Sequence, residues 1–376
     1  MKPVAIVGTS YQILKSGVYI SSEELILKVL NTAVEQAGVN PLSIKDYIIC
    51  SEGWFSSESV FRNFYSIFFE PNMVQIKEDG ILGILAGKLH INSGSSDLVA
   101  VIGFENPDKI VNVPFSFSPF KNNVEKINFE EPLYAVNFEM EKFLEHSGLT
   151  SKDLAEAIVI SKSKASRNPR ASFKNKVTVE QVLNSEKILS PISIMDISPK
   201  QTGAACVLIA SQELAEKINQ VNNWVTGISW SHEENSSILK NDDISIPQYF
   251  VNIFNNAREQ AKIEDLLNDI HLIEVEDSYS FQLLQYLTAM GFTDRNKPIE
   301  FIQNKIPNVN PSGGSIGMGD ISYSNSLVKI TEAVLQLNNM AMENQVEGKL
   351  TTALIQSATP LPKRSAGVVI IGREKI

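Results

Sequence analysis

The run Leu98-Val99-Ala100-Val101-Ile102-Gly103 is apolar at every position. A strand with one face in water alternates, so this pattern reads as a strand covered on both faces by helices. Pro3-Val4-Ala5-Ile6-Val7-Gly8, Tyr47-Ile48-Ile49-Cys50 and Met73-Val74-Gln75-Ile76 have similar composition, and helical periodicity fills the gaps between them. Ser21-x-x-Glu24 is a capping box, Ile26, Val29, Leu30, Ala33 and Ala37 fall on one face, and Gly38 stands where a C-terminal cap belongs. Val60 to Phe69 reads as a short aromatic helix, and Asp79 to Asn92 as a longer one with Leu82, Leu85, Ala86 and Leu89 as its apolar face.

The second part of the chain repeats this outline. Trp224–Ile228 and Leu272–Val275 read as strands, Pro247–Gln260, Phe281–Met290 and Ser326–Leu337 as helices, and Leu350–Ile355 and Gly367–Ile371 as closing strands. An internal duplication follows: two βαβαβαββ halves in a layered α/β arrangement, with helices covering a pair of sheets. Between the halves a Pro-, Phe- and Asn-rich passage runs from Asn106 to Pro132. Polar helices follow at Ala135–His146 and Ser151–Ser166, then a basic stretch to Ser190, before Gly203–Ala210 returns to buried-strand composition. The expected organisation is therefore a first half over 1–105, an inserted loop domain over 106–190, the end of the first half over 191–220, and a second half over 221–376.

With 376 residues, 43% of them hydrophobic and 20% charged, the chain can bury a large core. A net charge of −10 argues against nucleic acid or an anionic membrane as a partner. Cys50 and Cys206 lie in apolar runs and read as reduced core thiols, so neither a disulfide framework nor a metal site is expected. No apolar run has the length of a membrane span, and the opening residues do not form a leader, which makes the expected location cytoplasmic.

Asn310-Pro311-Ser312-Gly313-Gly314-Ser315-Ile316-Gly317-Met318-Gly319-Asp320-Ile321 holds four glycines within seven positions. Ordering so many costs entropy, so the backbone here is expected to need positive φ or to approach something closely. The spacing is wrong for a dinucleotide fingerprint and no strand is read directly before it. A glycine-rich surface turn and a ligand site both stay open on composition alone.

This segment resembles the signature of thiolases, above all the sterol-carrier-protein type and its archaeal relatives, in which Asn-Pro-Ser-Gly-Gly is followed by Gly-His-Pro-x-Gly. Asn168-Pro169-Arg170-Ala171, the stretch Val177 to Ser185, Pro191 to Asp196, Ser93 to Gly103 and Glu274 to Ser280 resemble the same family, in the same order. The resemblance covers essentially the whole chain and implies the thiolase fold. It also implies that the chemistry is altered. The position of the family's cysteine nucleophile falls at Lys77, three residues before Gly80. Its oxyanion-hole histidine or asparagine falls at Glu276, the histidine of the glycine segment at Asp320, and its last glycine at Tyr323. The second cysteine has no counterpart in Ser357 to Pro362.

A lysine cannot form and release a thioester-derived acyl group, and anions oppose a developing oxyanion, so ordinary thiolase activity is predicted to be absent. Glu276, Tyr279, Asp320 and Tyr323 are left as candidate proton-handling residues, and Asn310, Gly313, Gly314 and Gly319 as candidate substrate-binding positions. The expected function is a thiolase-like acyl-CoA protein with a degenerate site, serving as a non-catalytic or accessory subunit. The alternative is a thiolase-fold aldolase, or another carbon–carbon bond enzyme on acyl-CoA, working without a cysteine nucleophile. The resemblance implies no cofactor beyond an acyl-CoA ligand. It implies a homodimer, or a heterodimer with a thiolase-like paralogue, through the Met73–Ile76 strand, and an OB-fold and zinc-ribbon protein as a further partner. Lys77 is expected to pair with Glu276 or Asp320.

Overall fold

The computed structural model describes residues 2–15, 18, 20–51, 71–105, 132–218, 223–233, 245–303, 308–359 and 364–376. The expected aromatic helix at Val60–Phe69 and the passage from Asn106 to 131 lie outside them. Among the described residues twelve strands follow in chain order: β1 (Val4–Ile13), β2 (Asp46–Cys50), β3 (Asn72–Ile76), β4 (Leu98–Glu105), β5 (Lys187–Leu189), β6 (Ile192–Ser193), β7 (Gly203–Ser211), β8 (Asn223–His232), β9 (Leu272–Glu274), β10 (Asn308–Val309), β11 (Thr352–Ala358) and β12 (Ser365–Gly372). Ten of them form one sheet in the order β10-β9-β11-β12-β8-β1-β7-β4-β2-β3, and β5 and β6 form a small hairpin. Each half contributes five strands in the same internal order. Instead of two separate sheets, the halves meet where Ala5 pairs with Trp224 and Ile6 with Asn223.

The duplication extends to single atoms. In β1 a bulge falls at Val7, between the pairs Ile6↔Ile209 and Gly8↔Leu208; in β8 one falls at Thr226, between Gly227↔Ile370 and Val225↔Ile371. Next to each bulge a glycine lets the following helix touch the strand. A Cβ on Gly8 would stand 2.1 Å from the Ala33 carbonyl oxygen, and one on Gly227 2.1 Å from that of Ala257. One residue on, Gln36 accepts the Thr9 amide at 3.0 Å and Gln260 the Ile228 amide at 3.2 Å. Gly8→Ala and Gly227→Ala are each expected to cost about 1–3 kcal/mol in urea denaturation, because backbone rather than a flexible side chain must give way.

Helix limits follow the signals in the sequence. Ser22–Ala37 is capped by Ser21, whose side chain accepts the Glu24 amide, and ends at Gly38 in the left-handed region (φ 64°). Helices Gly80–Ser93 and Asn325–Leu337 lie between the two halves and share one core with inner-face residues such as Ile48, Val101, Val207, Val225 and Val369.

One expectation is corrected. The Gly80–Ser93 helix buries Ile81, Ile84 and Ile91 together with Gly83 and Gly87, while Leu89 is 54% exposed and Leu82, Leu85 and Ala86 are half-buried. The glycines decide this. A Cβ on Gly83 would meet Val101 and Cys50, and one on Gly87 would meet Ile209, so the closely packed face is the one with the smallest residues. Of the residues read as the apolar face, Leu85 and Ala86 pack half-buried against the core, and Leu89 turns outward. A second correction concerns β10, which stands directly before the glycine segment where no strand was read; with only two residues, Asn308 and Val309, it leaves no periodic signal.

Candidate functional site

The glycine segment makes a turn at Pro311 and Ser312 and a five-residue helix, Gly314–Met318. Gly313 (φ 100°), Gly314 (φ 63°) and Gly319 (φ 113°) occupy the left-handed region, and so does Asn310 (φ 40°). The chain's own atoms account for the rest. A Cβ on Gly313 would be 2.5 Å from the Ala165 methyl, one on Gly314 2.0 Å from an Asp277 carboxylate oxygen, and one on Gly319 2.9 Å from the Gln201 side chain. The close approach expected from composition is thus to neighbouring elements. Asn310 ties the segment to the strand beside it: its amide group donates to the Val275 carbonyl at 3.1 Å and accepts the Val275 amide at 2.6 Å.

Glu276 and Asp320 come together as the sequence reading expected, but their cations are not the expected ones. Lys329, on the Asn325–Leu337 helix, donates to Glu276 at 2.8 Å, and Lys200 donates to Asp320 at 3.0 Å. The Ser278 hydroxyl lies between the two carboxylates, 2.5 Å from Glu276 and 3.3 Å from Asp320. Asp320, with no exposed surface, also accepts from the Ser198 hydroxyl, the Ser322 amide at 2.6 Å and the Asn325 side chain at 2.8 Å. Burial opposes its ionisation, yet Lys200 and then Ser198 hold its carboxyl below the usual range. Burial likewise works against the Lys329 ammonium, and Glu276 and then Asp277 reverse this and raise its pKa.

Lys77 follows β3, is exposed, and stands two residues ahead of Asp79. Gly80 does open a helix, as the family frame implies, and its N-cap is Asp79, which accepts the Ile81 amide at 2.6 Å and the Trp230 indole at 3.2 Å. Burial pushes the Asp79 carboxyl up to about 6. Glu78 accepts from the Ser365 hydroxyl at 3.0 Å, closing this corner against β12. Tyr279 precedes the Ser280–Ala289 helix close to Lys200 and Asp320; burial raises its pKa and Lys200 opposes the rise. Tyr323 is half-buried in the turn Ser322–Ser324.

Beneath the glycine segment lies a second layer of buried charge. Asp277 accepts the Ser315 amide at 2.6 Å, and burial pushes its carboxyl up to about 7 in spite of Lys329. Glu274 accepts the Ser312 amide at 3.1 Å and hydroxyl at 2.7 Å, and burial takes it to about 8. Glu332 collects the Tyr11 hydroxyl at 2.6 Å, the Arg170 guanidinium at 2.5 and 2.9 Å, and the Asn168 side chain at 3.1 Å. Asn168 also reaches the Ser312 carbonyl at 3.1 Å.

Both cysteines are fully buried, and burial raises the pKa of each thiol. Among the described residues no group of His, Cys, Asp or Glu could hold a metal ion, and no helix is long and apolar enough to cross a membrane. An open groove of about 900 Å³ lies elsewhere, lined by Lys174, Lys176, Val177, Gln181 and Met195 among others; none of the mapped site residues borders it.

Duplicated halves in one strand order, two central helices that meet where Gly80 packs on Ser326 and Leu327, and an inserted layer bound onto the glycine segment define the thiolase fold. Along most of its length the chain is similar to proteins of the thiolase superfamily. Residues 231–373 match the family described as Thiolase C-terminal domain-like. Acetyl-CoA acetyltransferase of Methanothermobacter thermautotrophicus is 28% identical over 369 residues, covering 93% of this chain and 94% of that protein. An Ltp2-ChsH2(DUF35) aldolase superposes with a TM-score of 0.84 at 19% identity, covering 98% of this chain and 97% of its own. A monomeric SCP2-thiolase-like protein type 1 from Mycobacterium smegmatis superposes with a TM-score of 0.77 at 20% identity, covering 99% of this chain and 78% of its own.

Proposed function

We propose that this thiolase-like, acyl-CoA-related protein has lost acyl transfer and works as a non-catalytic, cytoplasmic subunit beside an active partner. The observation that carries the reading is charge saturation at the site. An unmodified helix start is an anion site because its amides are free. Here Asp79 already caps the Gly80–Ser93 helix, and Asp320 is bound to Asn325 at the start of the other central helix. Each mapped carboxylate also holds a lysine, so among the described residues the cations bonded to these carboxylates are already neutralised and do not serve a thioester oxyanion. A CoA thioester would have to gain its affinity elsewhere, for which the open groove at Lys174 and Lys176 is suited.

The test is acetoacetyl-CoA thiolysis together with acetyl-CoA calorimetry. No turnover is expected, with or without iodoacetamide, and acetyl-CoA should bind weakly. Thiolysis that is abolished by alkylating Cys50 or Cys206 would overturn the reading.

A second reading, a carbon–carbon lyase or synthase without a cysteine, is favoured by one observation. Ser278 links Glu276 to Asp320, and Asp320 is joined to Lys200, whose side chain is 54% exposed, so a hydrogen-bonded path leads from the buried site to solvent. It is also the reading under which an OB-fold and zinc-ribbon partner is required, and the similarity to an Ltp2-ChsH2(DUF35) aldolase supports it. Cleavage of a β-hydroxyacyl-CoA in the presence of such a partner, lost in Asp320→Asn, would replace the first reading with this one.

For assembly we propose a pair of thiolase-fold chains joined at β3, which ends the sheet and has its outer edge unpaired among the described residues. Sedimentation as a monomer, the state of the Mycobacterium smegmatis relative, would refute this.

A further inference from the structure

Residues 157–179 hold six cations and no carboxylate, in a chain whose net charge is −10. Three of the six work inside the fold. Lys162 donates to the Ile316 carbonyl at 3.1 Å, Lys164 to the Val309 carbonyl at 2.5 Å, and Arg170 holds Glu332. The other three, Arg167, Lys174 and Lys176, are exposed, and none of them holds a carboxylate among the described residues.

Lys174 and Lys176 border the open groove of about 900 Å³, whose apolar part is Val177 and Met195. The short helix Val179–Leu183, the β5–β6 hairpin and the turn after it leave three large aliphatic side chains outside: Leu183 is 40%, Ile188 49% and Ile194 53% exposed. One exposed leucine is ordinary, but three over residues 183–194, beside cations without counter-ions, mark a surface that meets another molecule. The lysines alone would serve the phosphates of a CoA thioester. The rest of the surface suits a nucleotide poorly, because Glu180 lines the groove with the lysines and, among the described residues, no aromatic ring lines it to stack a base. An anionic lipid surface is opposed by the charge of the whole chain. A second copy is opposed by symmetry, since a two-fold contact at this patch sets Lys174 and Lys176 against the same cations of the copy.

We propose that this surface docks an acidic segment with an aliphatic face, carried by the partner beside which this subunit works. This rests on the subunit reading above and adds where the partner sits and what chemistry it presents. Its carboxylates meet Lys174 and Lys176, and its apolar side chains cover Ile188 and Ile194 and enter the groove at Val177 and Met195, as an amphipathic helix lies in a groove.

The test places the photo-cross-linker p-benzoylphenylalanine at position 188 of the full chain in the cells that make it, and then measures binding of the cross-linked protein, purified, by calorimetry. One protein other than this chain is expected, joined through a peptide rich in Asp, Glu and aliphatic residues. Its affinity should fall with salt, and should fall roughly tenfold or more in the double variant Lys174→Glu, Lys176→Glu and in Ile188→Asp. Lysines in place of the carboxylates of the cross-linked peptide should restore binding to the double variant. The substituted positions are exposed, so thermal melts should match the wild type. A cross-link to a second copy or to no protein overturns the inference, and so does a partner whose affinity the variants leave unchanged. Acetyl-CoA binding that the double variant abolishes makes the groove a phosphate site and overturns it as well. Thiolysis by the chain alone refutes the subunit reading and leaves standing a partner contact that the variants break, so the two failures are distinct.

Discussion

Glu332→Ala is expected to remove about 3–5 kcal/mol of folding stability, because it breaks a fully buried ion pair and strands its donors. The carboxylate has no exposed surface, and every donor on it comes from a distant part of the chain: Tyr11 from β1, and Asn168 and Arg170 from the segment after the Ser151–Ala165 helix. Its loss leaves the Tyr11 hydroxyl and the Asn168 amide short of an acceptor. The guanidinium of Arg170 is 22% exposed and can turn toward water. The double variant Glu332→Ala, Arg170→Ala should therefore lose less than the sum of the single variants, with a coupling of about 1–3 kcal/mol. Guanidinium denaturation of the four proteins measures this. Additive losses would mean that the pair contributes nothing beyond its separate contacts. Hydrogen exchange should show the loosening first at Ser312, whose carbonyl shares Asn168 with Glu332.

How much of this was legible in the sequence depends on the range over which each feature is determined. The longer strands and the Ser21 and Gly38 caps are local patterns, and the structure has them where composition and periodicity put them, whereas strands of two or three residues such as β10 leave no such signal. The resemblance located Glu276 and Asp320 in one place because a family frame carries three-dimensional information that periodicity lacks. Their counter-ions were not legible. Lys329 is 53 residues from Glu276, and Lys200 is 120 from Asp320. Lys329 reads as an ordinary polar position in a helix pattern, and Lys200 as an exposed loop residue. Ser198 and Asn325 carry no signal of their own either. Lys77 was read as the cation of the site because it stands at the nucleophile position, but it precedes the helix cap on an exposed turn. The inward face of the Gly80–Ser93 helix was misread for another reason: hydrophobicity ranks leucine above glycine, whereas close packing against β2 and β4 selects the residue without a side chain.

Lys329→Met should be the most pH-dependent of the variants. In the wild type, three buried carboxyls have folded pKa values above their ordinary ones: Glu274 at about 8 from 4.5, Asp277 at about 7 from 3.8 and Asp79 at about 6 from 3.8. A raised acid favours the folded state fully below its unfolded pKa and loses that contribution as pH rises through the folded value. Asp320 has the opposite sign: its depressed pKa gives stability above about 4 that is lost on acidification. Wild-type stability should accordingly peak at about pH 4 and fall from there toward pH 8. Removing the Lys329 ammonium takes the one cation hydrogen-bonded to Glu276 among the described residues and the positive charge that faces Asp277. At pH 8 the loss should be about 3–5 kcal/mol, the cost of an uncompensated buried charge. Near pH 5 it should be smaller, because Asp277, whose carboxyl burial pushes up to about 7, carries no charge there for Lys329 to offset. Urea denaturation of wild type and variant from pH 5 to 8 therefore gives curves that diverge as pH rises, and Glu276→Gln added to Lys329→Met should bring them together again. Parallel curves would show that the ammonium of Lys329 is not what offsets the buried charge at Glu276 and Asp277. That would require a second source of positive potential at the site and would remove charge saturation as the ground for reading it as inactive.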